Sequence, residues 1–430
     1  MTALTAGPGA AAPLALLLIV VAAVLVRPGK LPEGVYAAAG AAVAVVSSIV
    51  PAGQAGRVVE GTLGILGFFL GMMVMTAVAE QAGVFAWATA LAVRLSAGSA
   101  QRLLLAVFGV GALITALLSN DATALVLTPL VLAVTDQVGL PPLPYALACA
   151  FVANAASTLF PMSNPLNIIL LSAFPVALGT FLRYLALPTL AMLAVAYGLT
   201  RVLFARDLSA AGRFDWAQLV APPAATGHGY RRFVAITLGL IAAAYIATSA
   251  VGQPLFLVAL AGGGLLVLGS SYFGALDLLR VVRGISWSIF PFIAGMFVVI
   301  QGVSNSGLSA LLGAALLGLA HTSRLAGILG AAFSVGLVSN AVNNLPAAVL
   351  MISALHSGPS SSVLLFGGLL GADAGPCLSI TGSLAGILWL IILRRRGLDL
   401  SGWQYLKYGA FVTPPLLLAG SLVLWLTVRP

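Results

Sequence analysis

Asp121 and Asp373 are the two carboxylates set deep inside apolar sequence. Each lies in a polar interruption of a hydrophobic run, LLSNDATAL around the first and GADAGPCLSITGS around the second. A carboxylate enclosed by that much hydrocarbon is costly, and it marks a functional site by default. Around the pair gather side chains that both donate and accept hydrogen bonds. In the first half these are Ser119, Asn120, Thr123, Asn154, Ser157, Ser163, Asn164 and Asn167. The second half supplies Ser339, Asn340, Asn343, Asn344, Ser379, Thr381 and Ser383. No Lys or Arg is expected at the same depth. Amides and hydroxyls suit a neutral polyhydroxy solute or a small cation. An organic dianion would want a guanidinium or ammonium partner and would be repelled by the aspartates. Burial favours a protonated carboxyl, whereas amide donors and helix ends favour the charged one, so an aspartate here can alternate between the two. Asp121 and Asp373 are therefore the candidate proton-coupling groups, Asp121 the stronger, and the amides and hydroxyls the candidate solute-binding set.

Those residues need a scaffold that lipid tolerates. The chain has 430 residues, 61% of them hydrophobic and 7% charged, with a mean hydropathy of +1.13. That composition excludes an ordinary soluble globule. Apolar runs of about 20 residues, the length that crosses a bilayer, place spans near 12–27, 33–51, 60–81, 143–174, 181–203, 231–250, 254–272, 285–303, 363–393 and 408–427. The first run lacks a basic leader and a small-residue cleavage site, so it reads as a retained helix. With the N-terminus outside, Arg27, Lys30, Arg94, Arg102, Arg201, Arg206, Arg213, Arg231, Arg232, Arg280, Arg283, Arg394, Arg395, Arg396 and Lys407 face the cytoplasm. Only Arg57, Arg183, Arg324 and Arg429 remain outside. The formal charge of +9 thus follows the positive-inside rule and sets orientation in a plasma membrane rather than binding nucleic acid. Cys149 and Cys377 fall in membrane segments without metal-ligand spacing, so neither a metal site nor a disulfide framework is expected.

The second half echoes the first. RVVEG at 57–61 recurs as RVVRG at 280–284, and FFLGMMVM at 68–75 as FIAGMFVV at 292–299. Ser119-Asn120 recurs as Ser339-Asn340, and the segment 152–155 as 371–374, so the offset in numbering stays nearly constant along the chain. The expectation is an all-α polytopic membrane protein of two inverted-topology repeats, each with about five spans, one re-entrant hairpin and one broken helix. The first repeat is 1–204, with its hairpin at about 103–136 and broken helix at about 143–174. A cytoplasmic linker covers 205–230. The second repeat is 231–430, with its hairpin at about 325–356 and broken helix at about 363–393.

The hairpins are inferred from short arms. Sixteen residues separate Arg102 from Ser119 and 14 separate Asp121 from Asp136. At 1.5 Å per residue such arms reach roughly 21–24 Å, short of a ~30 Å hydrocarbon core. A short amphipathic stretch precedes each hairpin, near 84–96 and 308–320, and is expected along the membrane surface. After each hairpin an apolar run is interrupted, by Pro161 and Pro165 in one and by Gly375-Pro376 and Gly382 in the other. Half-helix N-termini carry partial positive charge, and four polar tips can converge on one cavity.

These motifs resemble the arsenical pump membrane proteins, the arsenite/antimonite efflux permeases of the ion-transporter superfamily. The resemblance rests on SNDATALVLTPLVLAV (119–134), ASTLFPMSNPLNI (156–168), VVRGISWSIFPFIAGMFVV (281–299), SNAVNNLPAAVL (339–350) and GPCLSITGSLAGILWL (375–390), in family order across both halves. It implies opposed hairpins and export of trivalent arsenite or antimonite in exchange for protons, with a soluble arsenite-stimulated ATPase as partner in some operons; a homodimer is also open. Asn154 stands where some members carry an aspartate, and Cys377, assigned to packing, where some carry lysine or asparagine. Trivalent arsenite is chiefly an uncharged trihydroxide near neutral pH, which suits an amide-rich site. No cofactor is expected, and no enzyme: neither Lys30 nor Lys407 sits in a P-loop frame. The nearest rival is a sodium/proton antiporter of the same superfamily, since carbonyls plus Asp121 could hold Na⁺. An intramembrane aspartyl protease would need an acid dyad and leaves the duplicated hairpins unexplained.

Overall fold

In lipid every backbone N–H and C=O must find its partner within the chain, and this sequence meets that demand with helix almost throughout. The computed structural model describes residues 10–26, 28–215, 227–250, 253–356 and 362–428. Among these residues there is no strand, only an isolated bridge between Ser99 and Arg213. Arg27, Arg429 and positions 216–226 of the expected linker lie outside them.

The first half runs α1 (Ala11–Val26), α2 (Glu33–Val46), α3 (Ala52–Gln81), α4 (Val84–Ser96), α5 (Ala100–Leu117), α6 (Asn120–Val138), α7 (Pro142–Ala155), α8 (Pro165–Ala173) and α9 (Leu178–Leu203). The short α10 (Ala205–Ala211) makes part of the expected linker helical. The second half runs α11 (His228–Ala250), α12 (Leu255–Tyr272), α13 (Leu278–Gly284), α14 (Ile289–Asn305), α15 (Leu308–Thr322), α16 (Arg324–Val342), α17 (Asn344–His356), α18 (Ser362–Ala374), α19 (Leu384–Arg395) and α20 (Gly402–Thr427).

Among the described residues nine helical segments are long and apolar enough to cross a bilayer, with α13 and α14 counted together as Leu278–Asn305. They are not the expected ten less one. The runs at 143–174 and 363–393 qualify as no single helix, because their breaks cut them into α7 with α8 and α18 with α19, and α1 and α2, at 16 and 14 residues, fall short of the length. The hairpin arms α5, α6 and α16, by contrast, reach 18, 19 and 19 residues. Counting between charges undercounted them: Ser99 caps α5 by accepting from the Arg102 N–H, so Arg102 lies in the first turn, and Asp136 stays in the last turn of α6. Arm length alone therefore does not distinguish a hairpin from two spans. Ser119 and Asp121 line one cavity with Phe69, Met72 and Thr76 of the second half of α3.

The stretches after Gly83 and Gly307 pack on the helices that follow them. Thr89 and Val93 of α4 pack against Leu103 and Val107 of one hairpin arm and Leu127 and Val131 of the other, and α15 packs on both arms of the second hairpin, α16 and α17. Both glycines have positive φ, +73° and +81°, which turns the chain sharply into each bracing helix.

Close helix crossings rest on small residues, as membrane packing favours. Gly367, Gly371 and Gly375 recur every fourth position on α18 and just beyond it. A Cβ on them would meet Ile328 O, Ala332 O and Gly336 Cα of α16. Two further crossings are alike: Gly71 of α3 abuts the backbone of Ala259 in α12, and Gly295 of α14 abuts that of Ala37 in α2. Gly71 and Gly295 hold the same place in FFLGMMVM and FIAGMFVV. Gly71→Ala is expected to force α3 from α12 and cost about 1–3 kcal/mol. Thermal unfolding in detergent checks this, with Gly56→Ala, where a methyl meets open space, leaving the midpoint within about 1 °C.

Candidate functional site

Hairpin one turns at Leu118, and Ser119 Oγ then caps α6 by accepting from the Ala122 N–H at 3.1 Å. Residues 123–127 form a π-helical turn, a feature common at functional sites. Pro129 lacks the N–H that an ordinary turn would use there. The arms are tied by Thr115 Oγ1 and Thr123 Oγ1 at 2.8 Å and by Thr123 Oγ1 donating to Gly111 O at 3.3 Å. Hairpin two turns at Asn343, whose φ of +78° few residues other than glycine tolerate. The turn thus lies three residues beyond Asn340. Ser339 and Asn340 close the helix before the turn and do not form its tip.

The broken helices resume under side-chain caps. Asn164 Oδ1 accepts from the Leu166 N–H at 3.2 Å at the start of α8, and Ser383 Oγ accepts from the Gly386 N–H at 3.1 Å at the start of α19. Asn120, Asp121, Asn164, Pro165, Asn344, Leu345, Leu384 and Ala385 line a single cleft of about 10 Å³, room for about one water. Four helix N-termini thus meet there, those of α6, α8, α17 and α19. Each contributes partial positive charge, and the Asp121 carboxylate lies among them. No hydrogen bond ties that carboxylate to any other described residue. It also faces a cavity of about 240 Å³ walled by Phe69, Met72, Thr76, Ser119, Leu125 and Leu388. This cavity reaches Glu80, which pairs with Arg280 at 3.5 Å, both side chains about half exposed.

Asp373 sits differently. It is wholly buried at the C-terminal end of α18, where the helix dipole disfavours negative charge. Asn164 Nδ2 donates to its Oδ1 at 2.6 Å, joining the two breaks, which lie far apart in sequence. Ser157 and Asn167 adjoin the same carboxyl. Oδ2 has no partner among the described residues, and neither has Asn167 Oδ1 or Asn154 Oδ1.

The structure brings the expected residues together but commits most of them to the fold. Asn167 Nδ2 donates to Ser157 O (2.8 Å) and to Phe160 O (3.3 Å), the latter also accepting from the Ser163 N–H, so one amide bridges the broken stretch. Ser157 donates to Asn154 O at 2.7 Å, and Ser163 to Ala116 O at 3.3 Å. Asn340 Nδ2 donates to Gly336 O (2.7 Å) and Gly375 O (2.9 Å) while its Oδ1 accepts from Ser379 Oγ at 2.6 Å. Thr381 Oγ1 donates to Asn340 O at 3.2 Å, and Asn343 Nδ2 to Thr381 O at 3.3 Å. These bonds staple hairpin two to the second break. Ser119, Asn120, Asp121, Asn164 and Asn344 remain at the cleft or cavity. Sequence reasoning missed the wall that α3 supplies, Thr76 included. The recurrence of FFLGMMVM at 292–299 was the available signal.

A second cavity, about 530 Å³, lies beyond the tips. The first half of α3 lines it with Arg57, Thr62 and Ile65, α14 with Phe297, Gln301 and Ser304, and α17 with Val349, Ser353 and His356. Both cysteines are free and fully buried, Cys377 Sγ lying 3.7 Å from Phe151 O, which fits packing. Among the described residues no three His, Cys, Asp or Glu side chains are grouped to hold a metal.

Residues 14–365 match the family model CitMHS, described as citrate transporter. The arsenical pump membrane protein of Yersinia enterocolitica is 28% identical over 404 residues, 91% of this chain and 92% of that protein. That of Escherichia coli (strain K12) is 26% identical over 416 residues, 94% and 95%. An uncharacterised transporter of Mycobacterium tuberculosis (strain ATCC 25618 / H37Rv) is 27% identical over 371 residues, 83% and 84%. The crystal structure of the Alcanivorax borkumensis YdaH transporter superposes with a TM-score of 0.59 at 19% identity, covering 86% of each chain, and so shares the fold.

Proposed function

Because the chain belongs to the CitMHS citrate-transporter family of membrane transporters, we propose that it is a secondary active transporter that exports trivalent arsenite or antimonite in exchange for protons. The observation that carries this reading is the cleft where four helix N-termini meet around Asp121, with no Lys or Arg in its lining. The extent of the likeness to arsenical pump membrane proteins supports the same cargo. A neutral trihydroxide donates to the Asp121 carboxylate through O–H groups, a charge-assisted contact about twice as strong as a neutral one. A proton arriving on Asp121 removes that charge and releases the solute. Proton and solute thus compete for one group, which is what exchange requires. Asp373 works behind it. Protonated, its Oδ2–H supplies a donor to a pocket rich in unsatisfied acceptors; ionised, it holds Asn164.

The chain comprises two repeats, 1–204 and 231–430, in opposite orientation, related as the Gly71–Ala259 and Gly295–Ala37 crossings are. The face bearing Glu80, Arg280 and the arginine-rich loops is cytoplasmic, and the N-terminus lies outside the plasma membrane. A soluble arsenite-stimulated ATPase docking on that face, and pairing into a homodimer, belong to the same reading. A sodium/proton antiporter is the alternative, in which Asp121 and the carbonyls of the breaks hold Na⁺.

Everted vesicles with an acidic interior test the cargo. Arsenite added outside is expected to be taken up and to discharge the proton gradient. Discharge by sodium and not by arsenite would replace the proposal with the antiporter. Discharge by citrate alone would assign the cleft to a carboxylate.

A further inference from the structure

The two cavities share a set of repeat-related lining positions. Positions 73, 76, 77 and 80 of α3 line the first, and positions 297, 300, 301 and 304 of α14, their repeat counterparts at the same relative spacing, line the second. Leu388 after one break answers Ile169 after the other, and Ser286 answers Thr62. Asn120 and Asn344, the first residues of α6 and α17, meet at the cleft between them. The molecule therefore holds one cavity twice, on either side of a constriction that admits about one water.

Their charges differ. The first is acidic, with Asp121 inside and Glu80 at the mouth, Glu80 being answered by Arg280. In the second, the counterpart of Glu80 is Ser304, so Arg57, which matches Arg280 in the repeat, has no carboxylate to meet. It makes no hydrogen bond or ion pair with any described residue, and the lining contains no Asp or Glu. His356, stacked on Phe174 with ring centroids 4.5 Å apart, closes the other side. Ser172, Gln301 and Ser304 add polar groups to the wall.

We propose that the second cavity is the opposite-face vestibule of the solute path and an anion-drawing site, in which the Arg57 guanidinium holds small oxyanions. A guanidinium offers parallel N–H donors that match an oxyanion edge, and hydroxyls and amides satisfy what it leaves. A cleft lined by one sign of charge also raises the local concentration and arrival rate of the opposite sign. The path assignment rests on the transporter reading; the charge assignment does not.

Thiol labelling tests both. Wild type, with Cys149 and Cys377 buried, is the blank. Ser304→Cys in the second cavity and Thr76→Cys in the first are treated with membrane-impermeant methanethiosulfonates of equal size, one anionic and one cationic, in intact spheroplasts and in everted vesicles. Ser353→Cys, whose hydroxyl lies 2.6 Å from that of Ser304, serves as a second position should Ser304→Cys fail to accumulate. Ser304→Cys is expected to react from one face and Thr76→Cys from the other. The anionic reagent should modify Ser304→Cys about tenfold faster than the cationic one, and Arg57→Gln should bring that ratio to about one. Modified Ser304→Cys should then lose at least about half of its gradient-driven flux, measured with whichever cargo discharges the gradient. Labelling of both positions from the same face, a rate ratio indifferent to Arg57, or full flux after modification each overturns the proposal. The labelling needs no cargo, so failure of arsenite transport leaves the charge assignment to be decided by the rates.

Discussion

Asp121→Asn is expected to abolish gradient-driven exchange, lowering the initial rate of arsenite uptake in everted vesicles by about a hundredfold while the protein accumulates and unfolds normally. The asymmetry follows from what the carboxylate touches. It has no hydrogen-bond partner among the described residues, faces a cavity, and sits in the first turn of α6. An amide of the same size therefore forfeits little folding energy. It forfeits the charge to which the solute donates, worth about 1.5–3 kcal/mol as a charged hydrogen bond, and it cannot take up a proton at all. Residual movement in the mutant should be downhill and insensitive to imposed pH. Asp121→Glu keeps the proton but shifts it by one methylene, so it should retain coupling at a reduced rate. Unchanged coupling in Asp121→Asn would remove this residue from the mechanism.

The second large effect is structural. Asn164→Ala takes from Asp373 its side-chain donor at 2.6 Å, and takes the cap from α8. Loss of that donor to an ionised carboxylate costs about 1.5–3 kcal/mol, and a lost cap adds about 1 kcal/mol. A drop of several degrees in the detergent unfolding midpoint is the expected readout. Asp373→Asn in the same background should recover part of the loss, because the group left behind no longer carries charge. The double-mutant cycle is expected to give a coupling of about 1.5–3 kcal/mol. Additivity within about 0.5 kcal/mol would mean that the two breaks are not held together by this pair.

The sequence exposed the polar breaks because lipid leaves them no other purpose. Ser-Asn-Asp at 119–121 and the prolines at 161 and 165 interrupt runs that are otherwise uniform, and the structure makes each an interruption of helix. What stayed hidden were quantities that depend on helix ends. Arg102 and Asp136 look like boundaries, yet they lie within the first turn of α5 and the last turn of α6. Matching Ser119-Asn120 to Ser339-Asn340 followed letter identity, whereas the backbone turns further along the same polar run, at Asn343. Asn343 caps α17 as Ser119 caps α6, so the caps correspond where the letters do not. Nor could the letters separate side chains that face a cavity from those spent on orphaned carbonyls. Asn167, Ser379 and Thr381 are as polar as Ser119, but breaking a helix frees carbonyl groups that must be satisfied first. The wall supplied by α3 was obscured for the opposite reason, since Phe69, Met72 and Thr76 belong to an uninterrupted apolar run.

We propose that the turns at 118–121 and 343–345 touch one another in the middle of the bilayer, between two water-facing cavities. A density map of the protein in lipid nanodiscs tests it most directly. The expected map shows both turns at the bilayer midplane, in van der Waals contact, with the Asp121 side chain between the starts of α8 and α19. Turns found at opposite membrane surfaces, separated by hydrocarbon-spanning helices and open to bulk water, would contradict it.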